Sequence, residues 1–214
     1  MIQRKFLLTL FALLSFAQLV GAKSVNTKAI NIAAGETRDF YVYVLPAKDG
    51  IVSFQIDMKM PAGLTLNADQ CKLTSNIEDT EQELYVGLLS TNTYRVVSTS
   101  FNLTPLPMKD VAVLKLSVTA DETFKGGTVN LYDMIYSTSA SAKGSWSKDS
   151  FTVTTVDKIE GDVNFDGFVN VTDAMAIVEV LTNSDALTYS TLDINGDGEI
   201  NVVDAMAVVD MILD

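Results

Sequence analysis

Oxygen-bearing side chains recur in this sequence at a spacing suited to a hard divalent cation. Shifting the chain by 31 residues superposes Asp162-Val-Asn-Phe-Asp-Gly-Phe-Val-Asn-Val-Thr-Asp173 on Asp193-Ile-Asn-Gly-Asp-Gly-Glu-Ile-Asn-Val-Val-Asp204. Calcium takes six to eight oxygen ligands, and a tight loop supplies them from positions 1, 3, 5, 7, 9 and 12. In the first loop Asp162, Asn164, Asp166 and Asp173 offer side-chain oxygens, Phe168 its backbone carbonyl, and Asn170 an oxygen bound directly or through water. In the second the same set is Asp193, Asn195, Asp197, Glu199 through its carbonyl, Asn201 and Asp204. Gly167 and Gly198 fill position 6, where the chain turns sharply, and Val169 and Ile200 fill position 8, where an apolar side chain can pack inward and pair the loops. Two calcium sites are expected. Three carboxylates around each empty loop repel one another, so metal binding and folding are expected to be strongly linked.

The elements that must hold these loops follow them directly. Ile177, Val178 and Leu181 mark a helix after the first loop; Val208, Val209 and Ile212 mark one after the second. Asp173 and Asp204 then lie in the first helical turns, where a carboxylate also meets the favourable end of the helix dipole. Asn183 to Leu192 leaves room for only a short helix before the second loop, and there is room for none before the first. Each unit (162–182 and 193–213) is therefore a loop with an exiting helix and no full entering helix, and it ends in Asp where the usual EF-hand loop has Glu. A calcium switch that opens paired helices is not expected from such units, because the entering helices are missing or short.

Gly161-Asp-Val-Asn-Phe-Asp-Gly and Leu192-Asp-Ile-Asn-Gly-Asp-Gly resemble the duplicated segments of type I dockerins, over about a quarter of the chain. The resemblance implies a calcium-dependent plug that docks a secreted bacterial protein onto a cohesin module, at the cell surface, outside the cell or in the periplasm, often in a polysaccharide-degrading assembly. It also implies that loop positions 10 and 11, here Val171, Thr172, Val202 and Val203, touch the partner. Many members carry hydroxyl residues there; three valines make this contact more apolar, and core packing is the alternative use for them. The near-identity of Ala174-Met-Ala-Ile-Val and Ala205-Met-Ala-Val-Val suggests a pseudo-two-fold surface.

Composition narrows the rest. The 214 residues include no histidine, which removes the commonest general base and zinc ligand. Residues 157 to 214 carry thirteen Asp or Glu against the single Lys158, a charge that repels nucleic acid and attracts cations. Cys71 is the only cysteine, so no disulfide framework is expected. Arg4 and Lys5 precede an apolar run from Phe6 to Val20 that ends in Gly21-Ala22, so residues 1–22 are expected to be a cleaved export signal, with no membrane span remaining.

Residues 23–156 alternate with period two. Phe40, Val42 and Val44 share one face; Val52, Phe54, Ile56, Met58 and Met60 alternate with Ser53, Gln55, Asp57 and Lys59. Further strands are expected over 84–89, 94–101, 111–119, 128–136 and 150–156, which predicts eight or nine strands in a mainly β two-sheet antiparallel sandwich. A small all-α calcium-binding module from residue 157 onward follows, with little linker between. The phrase from Gly50 to Leu66, strand, Pro61-Ala62-Gly63, strand, is similar to cohesin-like and carbohydrate-binding sandwiches. This implies either a face for a dockerin helix pair, including one from a second copy of the chain, or a glycan platform built from Tyr41, Tyr43, Tyr132, Tyr136 and Trp146. The leading expectation is a non-catalytic adaptor, with a carbohydrate-binding module on a dockerin anchor as the alternative. A glycoside hydrolase using acids such as Asp57, Glu81 and Glu83 ranks last, because those acids fall where strands and loops carry solvated charge.

Overall fold

The computed structural model describes Val25 and residues 27–213. The expected export signal, residues 1–22, lies outside the described residues. Eleven strands are present among those described: β1 (Ile30–Ala33), β2 (Thr37–Tyr43), β3 (Ile51–Lys59), β4 (Leu64–Leu66), β5 (Lys72–Leu73), β6 (Gln82–Ser90), β7 (Thr93–Ser100), β8 (Ala112–Ala120), β9 (Gly127–Thr138), β10 (Lys143–Ser145) and β11 (Asp149–Val156). Two helices follow, α1 (Val171–Thr182) and α2 (Val202–Leu213). The larger sheet runs β1-β11-β9-β3-β7-β6, with β10 on β9; the smaller runs β2-β8-β4, with β5 on β8. All pairings are antiparallel except β1 with β11, which is parallel.

The sandwich forms because alternation supplies each sheet with one apolar face. Phe54, Ile56 and Met58 of β3, Val96 of β7, and Leu114, Leu116 and Val118 of β8 meet in one core. Burying each such side chain contributes about 1.5–3 kcal/mol. In β9 the inward residues are Val129 and Leu131, then Met134 and Tyr136; the one-residue change of phase falls at Asp133, whose φ is 46° and where the pairing with β3 shifts register. This bulge keeps both halves of a twelve-residue strand facing the core. Trp146 packs on Tyr136 in a tilted pair with centroids 4.7 Å apart and meets the Phe54 ring edge-on at 6.4 Å. Cys71 sits at the core's edge, donating to the Asn67 carbonyl at 3.3 Å, and burial pushes its thiol up to about 11.

The polar row of β3 departs from expectation. Ser53 and Gln55 are buried, and Asp57 is fully buried, gripped by Arg95 through Nε to Oδ1 and Nη2 to Oδ2, both at 2.7 Å. Asp57 is thus not the solvated acid that strand alternation implies. Its cross-strand partner on β7 is Arg95 itself, and the planar guanidinium fork takes both carboxylate oxygens. Among the described residues no helix is long and apolar enough to cross a membrane.

Candidate functional site

The two loops carry nearly the same hydrogen bonds, differing in that the first-position aspartate takes the amide of position 5 in one and of position 4 in the other. The fully buried Asp173 accepts from Val163 N (2.9 Å) and Asn164 N (3.2 Å) on Oδ1 and from Asn170 N (2.9 Å) on Oδ2. Asp204, also fully buried, accepts from Ile194 N (2.9 Å), Asn195 N (3.3 Å) and Asn201 N (2.8 Å). Asp162 receives Asp166 N and Gly167 N; Asp193 receives Gly196 N and Gly198 N. Asn164 and Asn195 accept from the amides of Asp166 and Asp197, which in turn accept from Phe168 and Glu199. Asn170 caps α1 by accepting from Thr172 N, and Asp173 completes the capping box. Asn201 accepts from Val203 N in the same way at α2. Each twelfth-position carboxylate therefore closes its loop and starts its helix.

Gly167 and Gly198 have φ of 91° and 87°, and an added Cβ at either would meet no atom within 4 Å. The requirement at position 6 is for left-handed backbone, not for space.

These residues fit a calcium ion. Among the described residues no group of three or more His, Cys, Asp or Glu side chains forms a ready metal cluster; the loop carboxylates instead take up backbone N–H groups. Oδ1 of Asp173 and of Asp204 is filled by two N–H groups, but Oδ2 of each accepts only one and keeps a lone pair for a cation. None of the loop aspartates is in an ion pair among the described residues. Burial pushes the Asp173 carboxyl above its ordinary value, against the pull of the Asn170, Asn164 and Val163 amides, and the Asp162 carboxylate adds to the push. At Asp204 burial acts in the same direction, but the amides of Asn201, Asn195 and Ile194 outweigh it and the carboxyl lies below its ordinary value. Buried carboxylates without a protein cation suit a site that a dication completes.

Position 8 behaves differently in the two loops: Val169 packs on the small core, whereas Ile200 is exposed. The apolar residue that reaches this core from both loops is at position 2, Val163 and Ile194, joined by Ile177, Leu192 and Val208.

The residues assigned to partner contact face outward. Val171, Thr172, Val202 and Val203 are exposed, so core packing is not their use. Corresponding residues of the two repeats are exposed almost equally: Val171 62% and Val202 60%, Met175 63% and Met206 59%, Val178 46% and Val209 41%. Between the helices lies an open groove of about 670 Å³, lined by Thr172, Met175, Val178, Glu179, Met206 and Val209.

The segment between the repeats lies against the sandwich. Asp39 N donates to the Thr188 carbonyl at 2.8 Å, Thr37 N to Ser190 Oγ at 2.8 Å, and Thr188 N and Oγ1 to Asp39 Oδ2. These bonds cover the edge of β2 away from β8, and Arg38 pairs there with Tyr189 as an isolated bridge. Lys115 Nζ, drawn below its ordinary value by burial, donates to the Ala186 carbonyl at 2.6 Å. Glu36 accepts from Lys158 Nζ and Ser190 Oγ. Tyr41 donates to the Asp185 carbonyl at 2.6 Å, and burial first, then Glu179 and Asp185, push its phenol from 10.0 to about 12. An acid held protonated by the fold contributes stability that is complete below its unfolded value and lost as pH rises through the folded one. Tyr41 should therefore weaken this contact between about pH 10 and 12. In an alkaline absorbance titration of the seven tyrosines, Tyr41→Phe should remove one late-ionising phenol.

Sequence reasoning placed the two parts close together but missed these particular contacts, which join residues 71 to 154 positions apart. One signal was available, namely that position 4 is Phe165 in one loop and Gly196 in the other. Two of the five aromatics considered for a glycan platform, Tyr136 and Trp146, are core residues, and Tyr41 lies against the inter-repeat segment.

Comparison with known proteins divides along the same line. No curated protein sequence matches the chain. The solution structure of CaCohA2 from Clostridium acetobutylicum is similar, with TM-score 0.51 and 13% identity over 64% of this chain and 90% of that one. A cohesin module from a Clostridium perfringens family 33 glycoside hydrolase is similar, with TM-score 0.50 and 10% identity over 65% and 100% of the two chains. So is a structure of the sixth cohesin of Acetivibrio cellulolyticus scaffoldin B in complex with a dockerin, with TM-score 0.50 and 11% identity over 63% and 100%. At such identities the likeness is one of fold, a cohesin-like β-sandwich. Residues 160–213, the two loops with their helices, match the dockerin type I domain family.

Proposed function

We propose that the chain is an exported, non-catalytic adaptor whose residues 157–214 bind two calcium ions and dock a cohesin-type module through α1 and α2. The observation that carries this reading is the matched exposure of Val171, Met175 and Val178 with Val202, Met206 and Val209. An apolar face of that kind on a soluble chain marks an interaction site. The calcium ions are structural: they hold the two loops, and the loops fix the helix starts. Polysaccharide degradation or cell-surface assembly is the setting that a dockerin implies, with the sandwich as the part displayed.

Pull-down of the full chain with a panel of cohesin modules tests the proposal. Retention in calcium and loss of at least about tenfold in affinity in chelator is the expected result, as is a similar loss for Met175→Glu combined with Met206→Glu, because a charge buried in an apolar contact is left unpaired. Retention that is equal with and without calcium would overturn the reading.

A further inference from the structure

The two loops carry the same residue types at every position that offers the ion a side-chain oxygen, and at position 4 they differ by Phe165 against Gly196. Both backbones there are left-handed, Phe165 at φ 63° and Gly196 at φ 71°. Glycine adopts this conformation freely; phenylalanine does so against steric resistance, and such conformations persist when surrounding structure enforces them. At Phe165 that structure is supplied by the sandwich, through Asn31 and Arg38, together with Tyr189 of the inter-repeat segment. The Phe165 ring is buried, edge-on to Tyr189 at 6.0 Å, with the Arg38 guanidinium 5.9 Å from its centroid and 4.9 Å from that of Tyr189. The Phe165 carbonyl accepts from Asn31 Nδ2 of β1 at 3.0 Å, and Arg38 donates to the Asn31 carbonyl. In the second loop Asn195, Gly196 and Asp197 are exposed, and an added Cβ on Gly196 would meet no atom within 4 Å.

We infer that the sandwich clamps the first calcium loop through Phe165, so that the two sites are unequal. A loop already held in its bound shape loses less freedom when the ion arrives, so the first site takes calcium more tightly than the second. Coupling is reciprocal, and calcium in the first loop therefore stabilises the sandwich. The inference rests on the calcium reading above.

The experiment uses the full chain, with calcium alone as the probe. Calorimetric titration should resolve two sites about tenfold apart in affinity, within the usual range of coupling. Trp146, the sole tryptophan and a core residue of the sandwich, reports urea unfolding of that part, and its midpoint should rise with calcium. Phe165→Gly copies the second loop; it should bring the two affinities within about twofold and cancel the calcium-dependent rise. Asn31→Ala changes the sandwich and leaves the loop sequence intact; it should weaken the tighter site alone, by about threefold. Equal sites in the unaltered chain, or an affinity gap and midpoint rise that survive both substitutions, would overturn the clamp and leave the calcium reading standing. Absence of any calcium uptake would overturn both.

Discussion

An Asp173→Ala chain is expected to lose most of its far-ultraviolet helical signal, even in saturating calcium, while Trp146 emission stays that of a buried ring. Three backbone N–H groups, those of Val163, Asn164 and Asn170, converge on this one carboxylate. Alanine leaves all three without their acceptor, at about 1–3 kcal/mol for each that stays buried. It also removes the capping-box partner of α1 and one of the three carboxylates offered to the ion. The core that must resist this loss is small, with six fully packed residues: Val163, Ala174, Ile177, Leu192, Ala205 and Val208. The α-helices of the described residues are α1 and α2, so circular dichroism reads this segment and fluorescence reads the sandwich. Asp204→Ala should act in the same way from the second loop, because Ile194, Asn195 and Asn201 depend on it identically. Full helicity together with two equivalents of bound calcium in Asp173→Ala would show that the twelfth position holds neither loop nor ion.

The second large effect is expected in the sandwich. Asp57→Ala should lower its stability by about 3 kcal/mol, since removing one member of a buried ion pair strands the other. The value sits at the low end of the range for such changes because the Arg95 side chain keeps 22% of its surface exposed and can turn to solvent. Asp57→Asn, which preserves shape and one acceptor, should cost less than half as much. Urea unfolding followed by Trp146 measures both, and a loss below about 0.5 kcal/mol for Asp57→Ala would contradict the account.

The loops were legible because their chemistry is local: every proposed ligand lies within twelve residues, and repetition made the pattern unmistakable. The long strands were legible for a similar reason, since Phe54, Ile56 and Met58 announce their face by alternation. β5 and β10, at two and three residues, are too short for periodicity to register, and β4 was read only as the end of the phrase from Gly50 to Leu66. Alternation also assigned Asp57 to a wet face, because period two distinguishes two sides of a strand but not whether the second side is covered. The contact between sandwich and loops left almost no trace, because it is made of scattered polar residues such as Asp39, Tyr41, Lys115 and Thr188, each unremarkable in its own stretch of chain. The exchange of glycine for phenylalanine at position 4 is the difference between the loops that reflects this contact.

The inter-repeat segment that lies along β2 also bears on how the protein behaves when metal is withdrawn. With Thr188 to Ser190 in place, the backbone amides of Thr37 and Asp39 are satisfied and the first half of the β2 edge is covered. If the loops slacken and the segment lifts away, the same strand becomes a template for another chain, and edge-to-edge pairing is a route to aggregates. Colloidal stability, followed by light scattering during dialysis against chelator, should then fail before the sandwich itself unfolds.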